Sequence, residues 1–277
     1  MGIFDLFDDL KENMEKSKKA KEYIRRANEL VKEGDELYER AYDKVISYAS
    51  ETEYRLYQHM NYKKNLVKEL GSNVDETLKE FKKFNIDSKT IDAPSIQESN
   101  VGLNCFKAAT SSCFESKIYV PSIFDMFISD VDYYEAKSQL DEAKRYKEEM
   151  RMERDRLNSY KEKMSEIRSF ICSEKNELDS LMRKLKSITE ELKSSMQKNS
   201  FSMEETEYLK GIHKIAECIV NLLSTEFLND GFSINQRYKK AFEGVKSINQ
   251  NLPYAPSISD ANTLSAIKII IDGVIVN

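Results

Sequence analysis

The chain has 277 residues and a net charge of -5, and its 8 glycines and 4 prolines are about 4% of the residues against roughly 12% in an average protein. So few turn-formers exclude sandwiches, barrels and α/β sheets, which must turn every dozen residues or so. The expected class is all-α, and 33% charged residues point to an elongated molecule with much surface.

The 43 basic and 48 acidic residues are interleaved, which leaves no basic stripe for nucleic acid. The longest uncharged run, Ser247 to Ser259, contains two prolines and is shorter than the roughly 20 apolar residues of a membrane span. Asp5, Asp8 and Asp9 stand where a signal peptide would be basic, so a cytoplasmic location is expected, peripheral to the membrane if the N-terminus binds lipid. Cys105, Cys113, Cys172 and Cys218 show no CxxC spacing and are expected as free thiols.

Four segments follow from the pattern: residues 1–84, 85–131, 132–197 and 198–277. The first opens on Ile3, Phe4, Phe7, Leu10 and Met14, one stripe at helical spacing, and continues as a helix from about Asp5 to Leu70 with Gly34 as its one break. Ala20, Ala27, Gly34 and Ala41 fall seven apart and would let a second helix approach closely, with Ile24, Val31, Tyr38 and Val45 as the larger alternates. After Tyr48 the register slips as a stutter would.

Residues 85–131 lose the periodicity. They form an irregular apolar subdomain whose Ile123, Phe124 and Phe127 are candidates for contact with a partner or a membrane. The next segment has no Gly or Pro between Pro121 and Gly211. It repeats every seven residues at Ala136, Ala143, Met150, Leu157, Met164, Ile171, Leu178, Leu185 and Leu192, with Tyr146, Tyr160, Ile167, Leu181 and Ile188 three residues on. Gln139, Glu153, Glu174 and Ser195 interrupt that seam. Two helices of about 65 residues, roughly 100 Å each at 1.5 Å per residue, suggest an antiparallel coiled-coil hairpin.

From residue 198 a small helical bundle is expected. Ser202 and Glu205 form a capping box before a helix to about Leu228, a second helix covers about Ser233 to Gln250, and Pro253 and Pro256 end it. The tail reads as helix to about Ile271, with a hairpin at Asp272-Gly273 as the alternative.

Motifs for chemistry are missing from the sequence. The glycines lie too far apart for a P-loop, a dinucleotide fingerprint or a nucleophile elbow, and His59 and His213 lie in neither HExxH nor Glu-x-x-His. His213 shares a helical face with Glu217 beside Cys218, which a solvated histidine explains. No catalytic residue, cofactor or metal is assigned.

In Met1-Gly2-Ile3-Phe4, on an amphipathic helix leading into a long helical hairpin, the chain resembles the phage-shock protein A and ESCRT-III membrane remodellers over about 20 residues. That resemblance implies self-assembly on a membrane surface. Long helices with an apolar segment at one end also look like the α-helical pore-forming toxins. The residues themselves favour a non-enzymatic scaffold or adaptor that self-associates or binds protein partners. Its contacts would run through Ile3, Phe4, Phe7, Leu10, Ile123, Phe124 and Phe127. Helix pairing would be carried by Ala20, Ala27, Gly34 and Ala41 with Leu157, Met164, Ile171, Leu178 and Leu185. A membrane-active protein is the alternative.

Overall fold

The computed structural model describes residues 3–72, 132–195, 202–229 and 233–273, with side chains from residue 11 onward. Among them are five helices: α1 (Ile3–Leu70), α2 (Tyr133–Ser195), α3 (Met203–Ser224), α4 (Gln236–Asn251) and α5 (Ala261–Ile271). The all-α expectation holds. The described residues fall into two compact units, one of residues up to Ser50 and from 132 to Met164, the other of Glu51 to 72 and from Ser165 onward. This division crosses both long helices, whereas the sequence suggested boundaries at their ends. The apolar segment 85–131 and its Ile123, Phe124 and Phe127 lie outside the described residues.

Helix α1 runs unbroken through Gly34, because that glycine sits inside the packing. A Cβ there would lie 3.3 Å from both Met150 Cγ and Tyr146 Cε1 of α2, so the missing side chain is what lets the helices meet. The outer face of α1 is held by pairs four residues apart, Glu12 with Lys16, Arg25 with Glu29, Glu36 with Arg40 and Glu51 with Arg55, each contributing a few tenths of a kcal/mol.

In the first unit, Ala27 and Val31 form one buried cluster with Leu140, Ala143, Tyr146 and Met150, and Ala20 and Ile24 form another with Ala136. The buried positions of α1 step by three and four through Ala20, Ile24, Ala27, Val31, Gly34, the half-buried Tyr38, Ala41 and Val45. From Val45 to Ala49 the step is four after a four, which is the stutter, and the rhythm resumes at Thr52 and Leu56. On α2 every heptad position from Ala136 to Leu192 is buried except Ile171, which is half-buried. Gln139 and Glu174, read from the sequence as interruptions, are themselves buried in the seam.

The antiparallel direction is corrected. In the first unit the Tyr23 and Tyr133 rings lie 5.7 Å apart, Lys147 Nζ is 2.5 Å from Glu33 Oε2, and Lys161 Nζ lies 5.7 Å from the Tyr48 ring centre. In the second unit Arg168 pairs with Glu51 at 2.5 Å, Glu174 with His59 at 3.3 Å, and Tyr62 donates to Asp179 at 2.7 Å. Partner numbers rise together in both units, so α1 and α2 run parallel. A heptad pattern fits either direction, and equal helix lengths do not choose between them.

In the second unit α3 packs on α4 and α5. The Ser202–Glu205 capping box is present, and Asn235 and Asp260 cap α4 and α5. Helix α3 ends at Ser224, short of the expected Leu228, because residues 227 and 228 leave the helix for another partner. Leu228 bridges Ile234, with Asn235 N–H donating to the Phe227 carbonyl at 2.9 Å. Gly211 lets α3 and α5 approach closely, since a Cβ there would stand 2.6 Å from Ile267 Cγ2. The tail is helix to Ile271, stopped by Gly273 at φ +73.

Two cysteine pairs test the direction: Glu33→Cys with Lys147→Cys, and Glu51→Cys with Arg168→Cys. Parallel helices allow both to cross-link within the monomer, whereas antiparallel helices allow one at most, and mass spectrometry of the oxidised chains distinguishes them. Replacing the fully buried Ala27 by Leu should lower urea-unfolding stability by about 1–3 kcal/mol through overpacking, with Ala41→Leu adding to the loss.

Candidate functional site

The concentrated chemistry of the described residues lies where α1, α2 and α4 meet in the second unit. Heptad spacing puts Glu174 of α2 into the seam, and the same spacing on α1 places His59 and Lys63 against it. Their relative exposures are 0%, 4% and 5%, so solvent is excluded. Glu174 Oε2 faces His59 Nε2 at 3.3 Å, and these two atoms, not aligned as a hydrogen bond, have no other hydrogen-bond partner among the described residues. Glu174 Oε1 is 3.9 Å from Lys63 Nζ and accepts a hydrogen bond from the Tyr238 hydroxyl of α4.

An aromatic wall encloses these groups. Lys63 Nζ stands 4.2 Å from the Tyr238 ring centre and 5.3 Å from that of Phe227, a cation–π cage. Phe227 packs edge-on against Tyr238 at 5.0 Å and lies 5.3 Å from His59; Phe170 contacts Phe227, Tyr238 and Phe242. The Leu228–Ile234 bridge therefore has a local purpose, since it turns Phe227 toward His59 and Lys63.

Burial raises the pKa of Glu174, but His59 and Lys63 together with the Tyr238 hydrogen bond outweigh it, and the carboxyl lies below its ordinary value of 4.5. Burial pulls Lys63 below its ordinary 10.5, only partly offset by Glu174. Tyr238 is raised by burial and by the adjacent carboxylate. The arrangement keeps a charged carboxylate beside a caged ammonium in a dry pocket. It holds helices together and offers no opening to a substrate.

A second set of contacts extends the site along α2. Glu166 accepts from Lys239 at 2.8 Å, Glu177 from Asn249 at 2.6 Å, and Glu191 from the Ser257 hydroxyl and Ile258 N–H, both at 2.8 Å. Lys184 donates to the Asn249 and Leu252 carbonyls at 2.5 and 2.9 Å, capping the C-terminus of α4. The polar positions 177, 180, 184, 187 and 191 thus form a second stripe of α2, at the same spacing as the apolar seam, facing α4 and the 252–260 loop.

The sequence-expected residues are placed as follows. Ala20, Ala27, Gly34, Ala41, Leu157, Met164, Leu178 and Leu185 are buried and Ile171 is half-buried. Ile3, Phe4, Phe7 and Leu10 lie on the helical backbone of α1. His213 Nδ1 lies 3.6 Å from Glu217 Oε1 on the surface, and burial pushes the Cys218 thiol up. Cys172 and Cys218 are free thiols. Among the described residues no group of three His, Cys, Asp or Glu could hold a metal ion, and no helix is long and apolar enough to cross a membrane. The cluster of His59, Lys63, Glu174 and Tyr238 was missed, although a glutamate at a seam position and a His–Lys pair four apart on the other seam were its signals.

Comparison of the chain with protein-family models, with characterised proteins and with solved structures gives no match.

Because the pKa of Glu174 is depressed, the stability it contributes is complete above pH 4.5 and is lost as pH falls through its folded value. Lys63, also depressed, has the opposite consequence: stability rises with pH between its folded value and 10.5. Chemical denaturation across pH should show both slopes, with Glu174→Gln removing the acid one and Lys63→Met the alkaline one. Glu174→Ala should cost about 3–5 kcal/mol at neutral pH, because Lys63 is left buried without its counter-charge.

Proposed function

We propose that this protein is a non-enzymatic scaffold or adaptor, working by contact with copies of itself or with protein partners. The observation that carries this reading is the distribution of its side chains. The clustered polar groups Glu174, His59 and Lys63 are closed inside the packing, while α1 of the second unit presents Tyr54 and Tyr57 to solvent at 61% and 54% exposure. These tyrosines are three residues apart on one helical face. Tyrosine is favoured at interfaces because it brings a large rigid ring and a polar hydroxyl at low entropy cost. A cytoplasmic setting suits the free thiols Cys172 and Cys218.

A membrane-active role is the second reading. Its support is that α1 begins at Ile3, so the Met1-Gly2-Ile3-Phe4 motif shared with the phage-shock protein A and ESCRT-III remodellers leads directly into a long helix. Ile3, Phe4, Phe7 and Leu10 would be the lipid contacts.

Sedimentation equilibrium of the full chain tests the first reading. Association above 32.2 kDa that weakens at least tenfold in Tyr54→Ser with Tyr57→Ser supports it, and a monomer at all concentrations removes self-association. Flotation with anionic liposomes tests the second. Binding that disappears on deleting residues 1–15 supports membrane action, and absence of the intact chain from the lipid fraction removes it.

A further inference from the structure

The contact between α2 and the α4 region differs in kind from that between α1 and α2. The helix pair is joined chiefly by an apolar seam. Apart from Glu174 against His59 and Lys63 and Asp179 on Tyr62, its carboxylate pairs from Glu33 and Glu51 lie half in water, at 58% and 49% side-chain exposure, where such pairs contribute at most about 1 kcal/mol. Across α2 and α4, by contrast, four glutamates of a single helix hold the partner: Glu166 on Lys239, Glu174 on Tyr238, Glu177 on Asn249, and Glu191 on Ser257 and Ile258. One of the four, Glu174, is fully buried, and it alone faces the Lys63 ammonium enclosed with it.

We propose that Glu174, with the glutamates of α2 that bond to the α4 region, forms an acid-released clasp: protonation of Glu174 frees α3, α4 and α5 from α2 while α1 and α2 stay paired. The groups that face Glu174 are His59, Tyr62 and Lys63 from α1 and Tyr238 from α4, while the loop after α3 contributes the uncharged Phe227. When the carboxylate takes a proton, Lys63 is left as a buried cation with only the Tyr238 and Phe227 rings for company, and His59 loses the anion opposite Nε2. Breaking one side of a buried pair is far more costly than removing both. The strain is relieved by admitting water between α2 and the α4 region, a contact held by the hydrogen bonds of Glu166, Glu177 and Glu191, and not by parting the apolar seam. The lowered pKa of Glu174 sets the release below the ordinary carboxylate range. Release would uncover Tyr238 and Phe242, buried in the clasped form, and expose further the half-buried Phe170 and Phe227. The inference stands independently of the scaffold reading, since it concerns only how the second unit is joined.

Hydrogen exchange of the full chain, read by mass spectrometry as protection factors so that the intrinsic pH dependence divides out, tests the clasp between pH 7 and pH 3. Protection over residues 236–251 should fall at least tenfold on acidification. Protection over 20–49 and 136–164 should change by less than twofold, with binding of an anilinonaphthalene dye rising in parallel. Glu174→Gln should show the loss over 236–251 already at pH 7. The combined Lys63→Met and Glu174→Met variant, which removes both charges together, should stay protected within threefold at both pH values. Protection lost equally in all segments would overturn the proposal. So would an acid step in the double variant as large as that of the natural chain, and this second test holds even if Glu174→Gln does not fold.

Discussion

A seam of apolar side chains that repeats every seven residues fits its neighbour about equally well after any slide of seven, and two long helices built only on such seams would have several registers of similar energy. Glu174 removes that degeneracy. In the observed register it meets His59 and Lys63, whereas a slide of one heptad would set it against Thr52 and Leu56, or against Leu66 and Leu70. A carboxylate buried without a cation is costly by several kcal/mol, so the charge selects one alignment out of many. Within the second unit, the position of Phe227 and the docking of α4 both presuppose that alignment. Here a buried ionic group serves specificity more than stability.

The same cluster explains why the C-terminal helices sit where they do. Tyr238 needs Glu174, and the Lys63 cage needs the rings of both Tyr238 and Phe227. Phe227 in turn reaches the cage only because α3 stops at Ser224 and the Leu228–Ile234 bridge turns the chain. Three elements distant in sequence are thereby tied to one point. Polar groups along α2 then extend the tie: Lys184 satisfies the Asn249 and Leu252 carbonyls at the end of α4, and Glu191 satisfies the N–H of Ile258 in the loop before α5.

Much of this was legible in the sequence, and the boundary of legibility has a physical cause. Helix existence follows from scarce Gly and Pro and from heptad spacing, which are local properties; the stretch from Ala136 to Leu192 lies in one helix, and the capping box at Ser202 and the helical tail to Ile271 are found as expected. Direction is not local. A repeat of seven reads the same forward and backward, so Ala27 could face α2 in either sense. The distance in sequence was the better guide: antiparallel neighbours close with loops of about 2–8 residues, whereas about sixty residues separate Leu70 from Tyr133, enough for the long return that parallel elements need.

The candidate site was the least legible part, and for a related reason. Periodicity reads Glu174 as a fault in an apolar pattern, because hydropathy scores each residue alone, and a buried charge makes sense only beside its partner. His59 and Lys63 are 115 and 111 positions away from Glu174, and no spacing rule spans that gap until the register is known. Once it is known, polar residues in a seam become its most informative positions. Gln139 is the other seam polar that α2 buries, in the first unit, while Glu174 lies in the second, so the α2 seam buries one polar residue in each unit. In a helix pair this long, the apolar residues supply attraction at every register and the few buried polar ones decide which register is kept.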